Sequence, residues 1–259
     1  MNIGVCFKST PETTARIKVA GDGNHIDTAQ IKWIISPYDE FAIEEAVQTK
    51  EKLGGEVVLF TVGGSKSTKN IREGLAVGGD RAVQIDDAAL GNTDSLGVAR
   101  ALAAAVAAED TQLLFTGKQA IDDQASEVPG MVAALLGWPH ISCVNDFSTD
   151  GTTFTATRVL GGGVEEVVSG PLPVVITAER GLNSPRYAKL PAILKAKRKP
   201  LAKKDLGALG LDGDKVAAAV SVSGMDYPPE RPKGRIIDGD AEDAASELVR
   251  LLREEAKVI

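Results

Sequence analysis

Short apolar runs of strand length alternate along the first two thirds of the chain with stretches whose apolar residues recur at helical spacing. Residues 2–7 (NIGVCF), 56–62 (EVVLFTV), 82–85, 112–116 (QLLFT) and 173–178 are nearly continuous apolar runs, as expected of strands covered on both faces. Residues 38–53, 65–77, 95–108 and 124–136 carry helical patterns between them. In the first helix Phe41, Ala42, Ala46, Val47 and Leu53 are expected to face the sheet, with Glu44, Glu45 and Lys50 on the opposite side. Ser36-Pro37 reads as an N-cap followed by proline in the first turn. Gly78-Gly79 closes the second helix, and Gly137-Trp138-Pro139 closes the fourth.

This alternation predicts an α/β fold, a doubly wound, mostly parallel sheet with helices on both faces. Right-handed crossovers place the C-terminal ends of the strands along one edge, where ligands of such sheets bind. The loops at that edge are 8–13, 36–39, 62–66 and 117–130. After Pro139 the pattern changes to an antiparallel extension, with strands at 140–147, 153–160 and 164–168 and turns at Asp150-Gly151 and Gly161-Gly162-Gly163. Residues 180–199 open with turn residues and finish in a short basic helix. From Pro200 to Pro232 the composition suits an extended arm, and 241–257 reads as an amphipathic helix capped by Asp240, with Ala244, Leu248, Leu251 and Leu252 in a stripe. The expected division is a nucleotide-binding domain at 1–199 and a C-terminal arm and helix at 200–259.

Composition narrows the chemistry. A net charge of -7 disfavours nucleic-acid binding, and with 4% aromatic residues there is little for stacked bases to rest on. No window approaches the length of a membrane span, and the start of the chain lacks a secretory pattern, so a cytoplasmic location is expected. Cys6 and Cys143 lie in apolar strand-like runs and read as buried free thiols. His25 and His140 read as structural, no spacing suits a metal, and Asp122-Asp123, adjacent along the chain, does not form a facing dyad. Nucleotide chemistry fits better. The stretch 117–131 (GKQAIDDQASEVPGM) leaves a strand and opens a helix whose N-terminus can receive a phosphate, with Ser126 adding a hydroxyl. An ordinary strand–helix loop is the equal alternative. Val62-Gly63-Gly64-Ser65 also permits close backbone approach but matches neither GxGxxG nor GxxxxGK[ST].

Three segments are more specific: SPYDEFAIEEAVQTKEKLGGEVVLFTVG, TGKQAIDDQASEVPGMVAALLGWP and TAERGLNSPRYAKLPAILKAKRKPL. In order and spacing they resemble the β subunit of electron-transfer flavoproteins, the third matching that family's PRY-x-x-L-P-x-I-x-x-AK-x-K signature. The opening VCFKSTPET is similar to a diverged VKxVPD start. The resemblance implies a sheet of the adenine-nucleotide α-hydrolase-like type and a heterodimer with an α subunit that holds most of one FAD. It implies AMP as a structural ligand of the β subunit, or a second FAD in bifurcating members. Electrons would pass from dehydrogenases, such as acyl-CoA dehydrogenases, to a quinone oxidoreductase, with no substrate chemistry on this chain. A stand-alone nucleotide-binding regulator of the universal-stress type is the alternative from another class.

Position by position, the resemblance assigns Cys6 to the adenosine, Ser36, Pro37, Tyr38 and Asp39 to an NPFC-like loop, and Val62 to the end of the second strand. The phosphate-binding loop and helix map to Asp122, Asp123, Gln124, Ala125 and Ser126, then Glu127, Val128, Pro129, Gly130, Met131, Val132 and Ala133. Ser36 stands where relatives carry Asn, and Glu127-Val128-Pro129 replaces Gln-Thr-Gly or Gln-Val-Gly. Leu190, Pro191, Ile193, Lys195 and Lys197 match the loop that docks into dehydrogenases, Leu190 as anchor, with Arg186 and Tyr187 supporting it. From the residues alone, Leu190 reads instead as core and the lysines as a solvated helix face.

Overall fold

In the computed structural model, which describes residues 1–259, the apolar runs lie side by side in one nine-stranded sheet. The elements in chain order are β1 (Asn2–Cys6), β2 (Ser9–Pro11), β3 (Trp33–Ile35), α1 (Pro37–Leu53), β4 (Glu56–Val62), α2 (Thr68–Val77), β5 (Arg81–Ile85), α3 (Ser95–Ala107), β6 (Thr111–Gly117) and α4 (Val128–Leu136). They continue with β7 (His140–Thr149), β8 (Thr153–Gly161), β9 (Val164–Pro171), β10 (Val174–Ala178), α5 (Leu190–Ala196), β11 (Leu201–Lys204) and α6 (Ala241–Glu254). The sheet order is β11-β5-β4-β1-β6-β10-β7-β8-β9, parallel from β11 to β7 and antiparallel from β7 to β9; β2 and β3 pair separately.

Alternation along the strands makes two cores. Ile3, Leu59, Leu113, Phe115 and Ile176 point to the layer of α1 and α2, where Ile43, Val47, Ile71 and Leu75 meet them. Val58, Phe60, Val83, Leu114 and Val175 point to the layer of α3 and α4, built from Ala99, Leu102, Val106 and Val132. Covering on both faces explains why the strands read as unbroken apolar runs. The chain crosses from β1 to β4 and β5 on one side and then to β6 on the other. The switch in strand order therefore lies between β1 and β6, which pair in parallel.

Several expectations change. The helix expected at 124–136 begins at Val128, because Gln124 and Ser126 take left-handed conformations at φ 53° and 57° that break the helical path. The arm expected from Pro200 first contributes β11, which pairs with β5 in the register Leu201↔Ala82. The chain forms two compact units, the sheet-bearing Met1–Ser223 and Gly224–Ile259. In the second unit α6 ends at Glu254 rather than 257, and Asp240 caps it by accepting from the N–H groups of Glu242 and Asp243. None of its residues is buried, its leucines included. Cys143 is only partly buried. It sits at φ 57° where the β7–β10 register shifts, its N–H donating to Thr177 Oγ1 at 2.9 Å.

Phe115 is fully buried in β6 and meets Phe147 of β7 edge-on with ring centroids 5.1 Å apart. Phe115→Ala is expected to cost about 3–5 kcal/mol, as a large aromatic cavity in a tight core does. Urea unfolding checks this, and a loss below about 1 kcal/mol would mean the core collapses around the gap.

Candidate functional site

The edge carrying the strand C-termini is organised by Asp39 in the first turn of α1. Its carboxylate is buried and accepts two backbone N–H groups, Lys8 at 2.8 Å and Gly117 at 2.8 Å. One side chain thus joins the ends of β1 and β6 across the switch point. Burial raises the Asp39 pKa to about 7, the two N–H donors and Lys8 pulling against it. Gly117 has to be glycine, since a Cβ there would lie 2.5 Å from Asp39 Oδ1 and 2.7 Å from Tyr38 Cβ. Cys6, at the end of β1, is also buried, and burial pushes its thiol pKa up, with Asp39's charge adding to it.

Ser36 occupies the N-cap position of α1 and Pro37 opens the helix, but the expected side-chain cap is absent. Ser36 Oγ is buried with no partner, while its N–H donates to Lys8 O at 3.0 Å. Tyr38 lies under the Lys118 ammonium, 4.9 Å from the ring centre, and Lys118 is paired with Glu179 at 2.6 Å. Val62 ends β4 beside Gly63 at φ 146°. Gln84 of β5 fixes this turn by donating from Nε2 to the carbonyls of Gly63 (2.8 Å) and Gly64 (2.7 Å). Sequence reasoning missed Gln84, whose signal is one amide inside the apolar run RAVQI.

The stretch assigned to a phosphate divides in two. Asp122 through Glu127 form an exposed loop, with Ser126 Oγ donating to Gln119 Oε1 at 3.2 Å. Lys8 Nζ bridges Asp122 (2.9 Å) and Asp123 (2.7 Å), a second residue the sequence reading passed over. Burial pulls the Lys8 pKa down, but the bonds to Asp123 and Asp122 outweigh it and the net direction is up. Glu127 stands at the cap position of α4 and makes no capping bond, and Pro129 sits in the first turn. Gly130 and Met131 are half-buried, and the side chains of Val132 and Ala133 belong to the core rather than the edge.

The signature segment lies along α1. Arg186 donates from Nε to Glu44 Oε2 (2.9 Å) and from Nη1 to Glu51 Oε1 (2.6 Å), and Asn183 Nδ2 donates to Glu45 Oε2 and Phe41 O, both at 3.0 Å. This corrects the helix face drawn above: Glu44 and Glu45 are buried, with Glu44 at 2% exposure, because residues 183–186 cover them with donors. Leu53, placed on the sheet side, is exposed. Leu190 opens α5 instead of lying on a loop, at 69% exposure, with Leu194 at 56% and Ile193 also exposed. Pro191, Lys195 and Lys197 are exposed, and Ala196 alone is buried in α5. Arg186 supports the segment as expected, but Tyr187, at 96% exposure, supports nothing. The end of α5 is pinned to α2 by Arg72 Nη1, which donates to the carbonyls of Ala196 (2.8 Å) and Lys199 (2.7 Å).

Residues 23–209 match the Electron transfer flavoprotein domain. The chain is 39% identical to the electron transfer flavoprotein subunit beta of Bacillus subtilis (strain 168) over 262 residues, covering all of both chains. It is 37% identical to the protein of that description from Bradyrhizobium diazoefficiens over 263 residues, again covering both completely. With the Mus musculus protein it shares 36% identity over 257 residues, 98% of this chain and 97% of that one. No helix is long and apolar enough to cross a membrane.

Asp39 has a raised folded pKa, so the folded state holds its proton more tightly than the unfolded chain does. Its contribution is complete below pH ~4 and is lost as pH rises through about 7. Relative to Asp39→Asn, which cannot titrate, the wild type is expected to lose at least about 1.4 kcal/mol of unfolding free energy over that window. Urea unfolding of both proteins across the window tests this, and parallel pH profiles would contradict it.

Proposed function

The chain belongs to the electron transfer flavoprotein β-subunit family, and on that premise we propose that it is one half of a heterodimeric electron carrier. Its partner is an α subunit that holds most of one FAD. The pair accepts electrons from dehydrogenases, acyl-CoA dehydrogenases among them, and passes them to a quinone oxidoreductase. FAD supplies the redox chemistry when bound, and this chain contributes position, partner recognition and a structural nucleotide. The observation that carries this reading is α5: a helix pinned by Arg72 at one end presents Leu190, Ile193 and Leu194 to solvent instead of to the core. A small apolar plug ringed by Lys195 and Lys197 suits brief docking with rapid release. The unburied leucine stripe of α6 is proposed to pack on the α subunit.

AMP is the proposed ligand of the strand-end crevice. Ser36 Oγ, buried and unpartnered, offers a hydroxyl beside the β1 and β6 ends, and the N-terminus of α4 lies at the end of the exposed loop. Ser36, Tyr38 and the end of β1 at Cys6 would hold the adenosine, and residues 124–130 would face the phosphate. Asp122, Asp123 and Glu127 crowd that loop with negative charge, and Pro129 lacks an N–H, features that favour one phosphate over the pyrophosphate of a second FAD. Mass spectrometry of ligands released from the heterodimer is expected to find FAD and AMP in equal amounts; two FAD and no AMP would reverse the assignment.

Burying one leucine in a partner pocket contributes roughly 1.5–3 kcal/mol. Leu190→Ala is therefore expected to weaken dehydrogenase-coupled flavin reduction about ten- to a hundredfold. The melting temperature should stay in place, because the side chain lies outside the core. Arg186→Ala, by contrast, strips buried Glu44 of its counter-ion and should lower the melt. Normal coupled rates for Leu190→Ala would remove α5 from partner recognition.

A further inference from the structure

The charges at the crevice do not match an anionic ligand as they stand. Asp122, Asp123 and Glu127 all lie on the loop between β6 and α4, and Pro129 removes one N–H from the helix turn that a phosphate would use. Lys118, at the root of that loop, is committed to Glu179 at 2.6 Å and to the Tyr38 ring. Lys8 differs. Its backbone is held firmly, the N–H by Asp39 and the carbonyl by the Ser36 N–H. Its ammonium reaches from the end of β1 to two carboxylates on the exposed loop after β6. Exposed lysine–carboxylate pairs contribute little to stability, whereas phosphate oxygens are strong acceptors for an ammonium.

Resting on the nucleotide reading above, we infer that Lys8 is the counter-ion for the ligand's phosphate, held between Asp122 and Asp123 until a nucleoside monophosphate draws it away. The exchange is a change of hydrogen-bond partner, with no covalent step. The fixed backbone of Lys8 lets the side chain swing without disturbing β1, and the loop that loses the lysine is free of the core. Asp122 and Asp123 act in this arrangement as competitors that lower affinity for phosphate. They also keep the crevice from carrying an unpaired cation when no nucleotide is bound.

The test is calorimetric titration of the full chain with AMP and, separately, with adenosine, which lacks the phosphate. Lys8→Met is expected to weaken AMP binding about tenfold or more, the scale of one charge-assisted contact. It should leave adenosine binding unchanged, and Lys8→Arg should retain most of the AMP affinity. The double variant Asp122→Asn, Asp123→Asn should tighten AMP and leave adenosine unchanged. Equal losses for both ligands in Lys8→Met, unchanged AMP binding in that variant, or weaker AMP binding in the double variant would each overturn the inference and make Lys8 a loop clasp. Wild-type protein that binds adenosine and AMP equally would overturn the inference alone. Wild-type protein that binds neither would overturn the nucleotide reading itself. A melt of each variant separates loss of binding from loss of fold.

Discussion

The carboxylate of Asp39 accepts one N–H from the end of β1 and one from the end of β6, and that double contact ties the two strand ends together. Parallel strands diverge past the last ladder bond, leaving backbone donors without partners at the switch in order. An acidic side chain in the first turn of a helix is well placed to satisfy them, since the helix dipole favours it there. Burial works against the charge and lifts the pKa to about 7, so the contact is held by geometry in spite of its desolvation cost. Gly117 follows from it, because any side chain there would collide with the carboxylate.

A second set of carboxylates does the equivalent work on the face of α1. Glu44 and Glu45 would be unfavourable at their burial if they stood alone. Arg186 and Asn183 supply donors, and in doing so lay residues 183–186 along the helix. Residue 190 is thereby delivered to the start of α5, whose other end is clamped to α2. Its apolar side chains Leu190, Ile193 and Leu194 stay exposed on a helix anchored at its C-terminal end. The placement of this segment thus comes from polar bonds to α1 and α2.

The charge pattern at the strand ends falls into two groups. Asp39, Gln84 and Gly117 are buried and locked, whereas Lys8, Asp122 and Asp123 are bonded through exposed atoms. The first group ties strand ends and turns together, and the second pairs charges on the exposed loop after β6. Left-handed backbone at Gln124 and Ser126 turns this loop outward before α4 begins, keeping the acids off the core.

The apolar runs were enough to establish the parallel sheet, its two helical layers, the antiparallel extension and the edge that carries the strand C-termini. A strand covered on both faces has to be apolar throughout, and a glycine triplet between polar-alternating strands has to turn. The signature PRYAKLPAILKAK established the family because its length leaves few alternatives. What the sequence could not decide depended on contacts between distant residues. Glu44 and Glu45 read as a solvent face until residues 183–186, more than a hundred positions away, covered them. Lys8 was passed over because its partners lie more than a hundred positions away on the loop after β6, and β11 looked like arm because its pairing with β5 lies in no local pattern. Local periodicity reports which face of an element is apolar. Only the packed chain reports which polar side chains have found partners.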